Sequence, residues 1–338
     1  MAVISDEGPA DSLHETALTL AGWRRFVDAE APSFDLIPEQ QWTALTETDR
    51  AAYDDARISY HSEMVTVATP LVRDVIRQGR LLMMLNRRER SARRGMIVSG
   101  PWTTGKSTAL KELGRTHELM IRSRYPDQDR IPVVYVTTPP KGSPKKLAAE
   151  FARFLGLPGI KPRWNATDIT DAVCKVLTDA RCDLVLVDEI HNLNLSTTAG
   201  EDMSDNLKYL TEHIPATFVY AGIDVERIGL FTGVRGRQIA GRSILVNSGP
   251  LPDRATWRGL VAELESALRL HQHRPDTLLT LEKYLHRRTG GMIGSLSHLI
   301  RAAALLAIAE GQERIDRKLL ETVTIDYAAT SGGQGAAA

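Results

Sequence analysis

Five short apolar stretches alternate with segments of helical spacing across about 150 residues: Met96–Ser99, Pro132–Thr137, Leu184–Val187, Thr217–Ala221 and Ser243–Val246. Helical spacing fills the gaps at Ser107–Arg122, Pro144–Leu155, Asp168–Ala180 and Ser204–His213. Strands that are apolar along their whole length are buried on both faces, and strand–helix alternation is the signature of a parallel sheet covered by helices. The fold class is therefore α/β, with a parallel five-stranded sheet. After Pro252 the pattern becomes helical only, at Arg254–His271, Thr277–Arg288, Gly294–Glu310 and Asp316–Asp326. An all-helical domain is expected to follow the sheet domain.

The first strand runs into Gly100-Pro101-Trp102-Thr103-Thr104-Gly105-Lys106-Ser107, with Thr108 next. This fits the P-loop pattern G-x-x-x-x-G-K-[ST] in full, between a strand and a helix as its chemistry requires. Gly100 and Gly105 permit a tight backbone whose N–H groups can wrap phosphate oxygens. The helix start adds partial positive charge. Lys106 is expected to reach the β- and γ-phosphates, and Ser107 to offer its hydroxyl to a metal ion. The implied ligands are ATP and Mg²⁺.

Leu184–Val187 ends in Asp188-Glu189. Ligands of open α/β sheets bind at the carboxyl ends of the strands. Asp188 is expected to hold Mg²⁺ through water, and Glu189 to orient and polarise an attacking water. An acid that merely caps a following helix is the alternative. The adjacent carboxylates favour a hydrolase over a small-molecule kinase.

Lys and Arg balance Asp and Glu at 42 each, yet residues 1–60 hold twelve acids against four arginines, leaving the remainder basic. Arg73–Arg94 alone has eight arginines. An acidic front and a basic body suggest an interaction arm and a polyanionic partner. Residues 1–40 mix helical fragments with Pro9, Pro32 and Pro38 and read as a loosely ordered arm. The expected organisation is an acidic arm at 1–44, a helical lead-in with the basic run at 45–94, the sheet domain at 95–250, a helical lid at 251–328 and a flexible tail at 329–338. Cys174 and Cys182 match neither a disulfide framework nor a zinc site, which points to a reducing cytoplasm. The longest apolar run, Ala302–Ala309, is too short to span a bilayer, and Asp6, Glu7 and Asp11 stand where a signal peptide needs positive charge.

With GPWTTGKS, LVLVDEIHNL and TFVYAG in place, residues 45–326 resemble the AAA+ ATPases, and more narrowly the TniB/TnsC-type transposition ATPases. YHSEMVTVATPLVRDVIRQGRLLMMLNR is similar to the helical lead-in of that group, NLKYLTEHIPATFVYAG to its helix and fourth strand, and TGGMIGSLSHLIRAAALLAIAEGQERID to the AAA+ lid. The resemblance implies a homo-oligomeric ring or filament on double-stranded DNA and a transposase or integrase partner. It also implies an arginine finger before the fifth strand, with Arg242 first and Arg237 and Arg235 as alternatives. Two departures stand out. Gly222 is followed by Ile223 where a polar sensor is usual, with Asp224 the alternative sensor, and Gly291-Met292-Ile293-Gly294 lacks the lid arginine, with Arg301 a distant substitute. Both suggest slow or partner-dependent hydrolysis.

The loop Thr137–Lys146 carries Lys141, Lys145 and Lys146 among several hydroxyls. Its position matches where the family faces DNA, and lysines suit phosphates without reading sequence. Solvated lysines at a helix start are the alternative, although lysines there oppose the helix dipole. Arg87–Arg94 is assigned to a subunit interface, Trp102 to surface packing and His191 to a structural or intersubunit role. The competing function is a regulatory ATPase that acts on a protein partner without DNA.

Overall fold

The computed structural model describes residues 16–63, 67–157, 164–193, 198–226, 237, 240–252 and 254–326. Its sheet contains β1 (Gly95–Ser99), β2 (Val133–Thr137), β3 (Leu184–Asp188), β4 (Thr217–Gly222) and β5 (Ser243–Asn247), in the order β2-β3-β4-β1-β5. Every pairing is parallel, with Met96 opposite Val219 and Ile244, and Thr137 opposite Asp188. The expected five-stranded parallel sheet is present. Residues of β1, β3 and β4 are buried without interruption, as continuous apolar runs demand.

The helices are α1 (Leu20–Asp28), α2 (Glu39–Thr43), α3 (Glu47–Ser62), α4 (Pro70–Asn86), α5 (Lys106–Arg124), α6 (Pro144–Phe154), α7 (Ala166–Asp179) and α8 (Thr198–His213). After β5 come α9 (Ala255–Ser266), α10 (Thr277–Thr280), α11 (Glu282–Thr289), α12 (Ile293–Ala309) and α13 (Arg317–Thr322). No single helix among the described residues is long and apolar enough to cross a membrane.

The contacts divide the chain into two compact units. The first comprises residues 1–29, 74–99 and 109–247; the second comprises 30–73, 100–108 and 248–338. Within the first, α1 lies in the stretch read as an arm that mixes helical fragments with prolines. Thr19 caps it by accepting from the Gly22 amide at 3.0 Å, and Trp23 is fully buried. The indole N–H donates to Glu118 Oε2 at 2.5 Å, its ring stacks on Tyr135 at 5.8 Å, and Arg122 bridges Glu118 and Asp28. A buried tryptophan with its one donor satisfied is enough to fix a nine-residue helix that would be marginal alone.

The second unit has its own core, built from Trp257, Leu260, Val261, Leu285, Leu296, Leu299, Ile300 and Ala303. Helix α3, expected to lead toward the sheet, packs here against α12. Arg57 lies fully buried on α3 and donates to Glu313 at 2.6 and 2.7 Å and to Asp54 at 2.5 Å. Its other partner is the Arg269 carbonyl at 3.3 Å. The acidic stretch before residue 60 is thus partly a structural counter-charge.

Candidate nucleotide site

The loop 100–108 is held in the second unit. Gly100 has φ +148, and a β-carbon there would lie 2.0 Å from the Ser248 carbonyl oxygen, so only glycine fits. Thr104 Oγ1 donates to the Pro101 carbonyl and pairs with Ser248 Oγ, both at 2.9 Å. The Gly294 amide donates to the Thr103 carbonyl at 2.9 Å, so the turn that opens α12 closes on the loop. Lys106 is buried, and its Nζ lies inside the loop, 2.8 Å from the Gly100 carbonyl and 2.5 Å from that of Pro101. Thr103 Oγ1 is buried without a hydrogen-bond partner among the described residues. Helix α5 starts at Lys106, immediately after Gly105 at φ +87. This donor set fits a triphosphate: helix-start amides, one lysine, the hydroxyls of Ser107 and Thr108, and an orphaned hydroxyl at the turn. Trp102 is 52% exposed on the outer side of the loop.

In the first unit, Asp188 ends β3 and is 2% exposed. Its Oδ2 accepts from the Tyr135 hydroxyl at 2.9 Å and its Oδ1 from the Glu189 amide at 2.8 Å. Burial, and next the charge of Asp188, push the Tyr135 phenol far above its ordinary value, so it stays a donor. Glu189 adopts a left-handed conformation, φ 56 and ψ 34, which turns its side chain out of the strand. Its Oε2 lies 3.2 Å from His191 Nε2. Tyr135 was not legible as a site residue, although a single phenol in the valine-rich strand VVYVT was the available signal.

Residues 57–229, about half of the chain, match the family described as "Bacterial TniB protein". The chain belongs to the TniB family. Solved structures similar to this TniB chain include the Aeropyrum pernix Orc1 protein in complex with DNA, at TM-score 0.57 and 16% identity over 80% of this chain and 66% of that one. A second is the Aeropyrum pernix ORC2 protein in its ADPNP–ADP complexes, at TM-score 0.56 and 18% identity over 81% and 69%. A third is domain III of the Thermotoga maritima replication initiation protein DnaA, at TM-score 0.50 and 12% identity over 75% and 91%. The chain therefore spans about two thirds of the two Aeropyrum chains. Identity this low speaks for a shared fold. Comparison with curated proteins gives no match. By family the chain is a TniB protein, and its fold is similar to that of these Orc and DnaA structures.

The other expected residues of this TniB protein fall as follows. Arg242 is exposed and immediately precedes β5, with its carbonyl accepting from Gly95 at 2.8 Å. In a parallel sheet this is the N-terminal end of the strands, opposite the carboxyl ends where Asp188 lies. Arg237 is exposed, and Arg235 lies outside the described residues. Arg301 donates to the carbonyls of His61 and Ser62, so its guanidinium is committed to the end of α3. Asp224 has φ 43 in the turn after β4, where Val225 N–H donates to Ser99 Oγ at 2.9 Å. Lys141, Lys145 and Lys146 are exposed, and Ser143 caps α6 by accepting from the Lys146 amide at 3.3 Å.

Proposed function

We propose that this chain is an ATP-dependent DNA-binding ATPase that assembles on double-stranded DNA and recruits or activates a transposase. The observation that carries the DNA part is the lysine loop. Lys141, Lys145 and Lys146 are exposed on the connection from β2 to α6, and no ion pair joins any of them to a carboxylate among the described residues. Two of them sit in the first turn of α6, where like charge opposes the dipole, so an anion at that spot relieves a real cost. Ammonium groups on flexible stems suit phosphates and serve bidentate base recognition poorly. Family membership and the resemblance to transposition ATPases support the transposase part.

In this reading Gly100 to Thr108 wrap the triphosphate of ATP, with Lys106 on the β- and γ-phosphates. Ser107 and Asp188 are the metal-side residues; Mg²⁺ supplies neutralisation of charge on the transferred group. Tyr135 keeps one oxygen of Asp188 oriented. Glu189 accepts the proton of the attacking water. Arg242, at the opposite end of the strands, serves a neighbouring subunit, where an arginine stabilises transition-state charge.

The test is duplex binding by the full chain with a slowly hydrolysed ATP analogue, measured by anisotropy over a salt series. Replacing all three lysines by alanine should weaken binding to every sequence alike and flatten the salt slope by about 0.9 per lost contact. Assembled wild-type protein that ignores duplex DNA at low salt would remove this reading in favour of a regulatory ATPase that acts on a protein.

A further inference from the structure

Glu189 is not held by the strand alone. It is followed by the turn Ile190–Asn192, and His191 on that turn reaches in two directions. The backbone N–H of Ile223, just past β4, donates to His191 Nδ1 at 3.2 Å. That contact needs the lone pair of Nδ1, so the ring proton sits on Nε2. Nε2 lies 3.2 Å from Glu189 Oε2, so the edge of the ring that carries the proton faces the carboxylate. Glu189 Oε1 has no hydrogen-bond partner among the described residues, and the Glu189 side chain is 40% exposed. One oxygen thus faces the imidazole and the other is left to accept from water.

The frame around the imidazole is rigid. A β-carbon at Gly222 would lie 2.8 Å from Ile190 Cγ2 and 3.1 Å from the His191 amide nitrogen, so the end of β4 presses directly on the turn. Asn192 Nδ2 donates to the Thr138 carbonyl at 3.0 Å, and the Asn192 amide donates to the Glu189 carbonyl at 2.9 Å. These contacts tie the turn to the end of β4 and to the loop after β2.

We propose that His191 is a positioning residue for Glu189: its Nε2–H, fixed by the Ile223 amide on the other nitrogen, aims the carboxylate for the proton of the attacking water. This rests on the reading of Glu189 as the catalytic carboxylate. It also gives the loop after Gly222 a bearing on Glu189, because the Ile223 amide holds the imidazole that faces the carboxylate. Orientation of a general base acts on the chemical step and leaves ground-state nucleotide binding alone.

The experiment is steady-state ATP hydrolysis by the full chain, with calorimetric binding of a slowly hydrolysed ATP analogue, for wild type, His191→Ala, His191→Gln and Glu189→Gln. His191→Ala should lower kcat about tenfold or more, the size of one lost charge-assisted hydrogen bond, while KM and analogue affinity change by less than about twofold. His191→Gln, whose amide can donate to Glu189, should recover most of the rate. A merely structural histidine would show KM, affinity and thermal unfolding moving together, without rescue by glutamine, and that result overturns the proposal. Full or raised turnover in His191→Ala beside an inactive Glu189→Gln also overturns it while sparing the carboxylate. Full turnover in Glu189→Gln removes the catalytic reading itself, and the positioning role with it.

Discussion

Replacing Glu313 by glutamine should destabilise the helical unit. Arg57 and Glu313 are 0% and 1% exposed at their side chains, and the two contacts of 2.6 and 2.7 Å form a bidentate pair. Glutamine keeps the volume but puts an amide N–H₂ against a guanidinium N–H, so one contact becomes donor against donor. It also removes the charge that makes a fully buried arginine tolerable. Breaking a buried pair from one side costs about 3–5 kcal/mol, because the remaining ion is left uncompensated. Asp54, 2.5 Å from Arg57 and 25% exposed, retains part of the compensation and sets the expectation near the lower figure, about 3 kcal/mol. Glu313 Oε2 also accepts from the His271 amide at 3.1 Å, and a rotated glutamine loses that as well. With a shift of about 2–4 °C per kcal/mol for a domain of this size, the melting temperature should fall by about 6–12 °C.

The assay is calorimetry together with urea unfolding followed by helical circular dichroism, since two units need not melt together. The double change Arg57→Met with Glu313→Leu removes both charges and should recover most of the loss, as apolar replacements of buried pairs do. A fall of under about 1 kcal/mol in Glu313→Gln, or a double variant no better than the single one, would refute the argument that the charge is uncompensated.

Three further outcomes are expected. Lys106→Ala should abolish ATP binding by calorimetry, whereas Glu189→Gln should bind ATP and lose turnover, because the amide keeps shape without a proton-accepting carboxylate. Hydrolysis per subunit should rise with protein concentration, and Arg242→Ala should lose that rise, measured as rate against concentration. Burial pushes the His61 imidazole down to about 4, so the fold prefers its neutral form. Its contribution is complete above the ordinary value of 6.5 and is lost as pH falls from there toward 4, by up to about 3 kcal/mol. Urea midpoints at pH 7 and 4.5 should therefore converge in His61→Gln.

The parts legible in the sequence were those written in local pattern. Each of the five strands announced itself as a continuous apolar run, and the P-loop as a spacing of glycines and a lysine between strand and helix. The parts that were not legible depend on partners far along the chain. Trp23 is an unremarkable indole in an acidic, proline-marked stretch until Glu118 and Tyr135 meet it. Arg57 looked like one of few positive charges in an acidic front; its partner is 256 residues away. The single helix expected at Thr277–Arg288 is two, because Leu281 leaves helical geometry at φ −99 and ψ 7, a break no glycine or proline marks. Arg301 showed its spacing from the lid turn but not its prior engagement with the carbonyls ending α3.

The turn after Glu189 also bears on how the lysine loop and the carboxylate belong to one device. Asn192 Nδ2 donates to the Thr138 carbonyl at 3.0 Å, the Gly142 amide donates to the Asn192 carbonyl at 3.4 Å, and Gly142 forms a β-bridge with Leu193. Lys141, at φ 51, lies within the segment those bonds tie down. An anion that draws the lysine loop into one arrangement therefore acts on the same four residues that carry His191 and follow Glu189. Such contiguity supplies a route, and its strength is a coupling free energy that must act equally in both directions for binding. Under the proposed function, whatever factor ATP adds to the affinity of the loop for a duplex, the duplex returns to the affinity for ATP. Turnover is not bound by that symmetry. Under the same reading it depends on where Glu189 points, and the turn is the element that both the lysine loop and the loop after β4 contact.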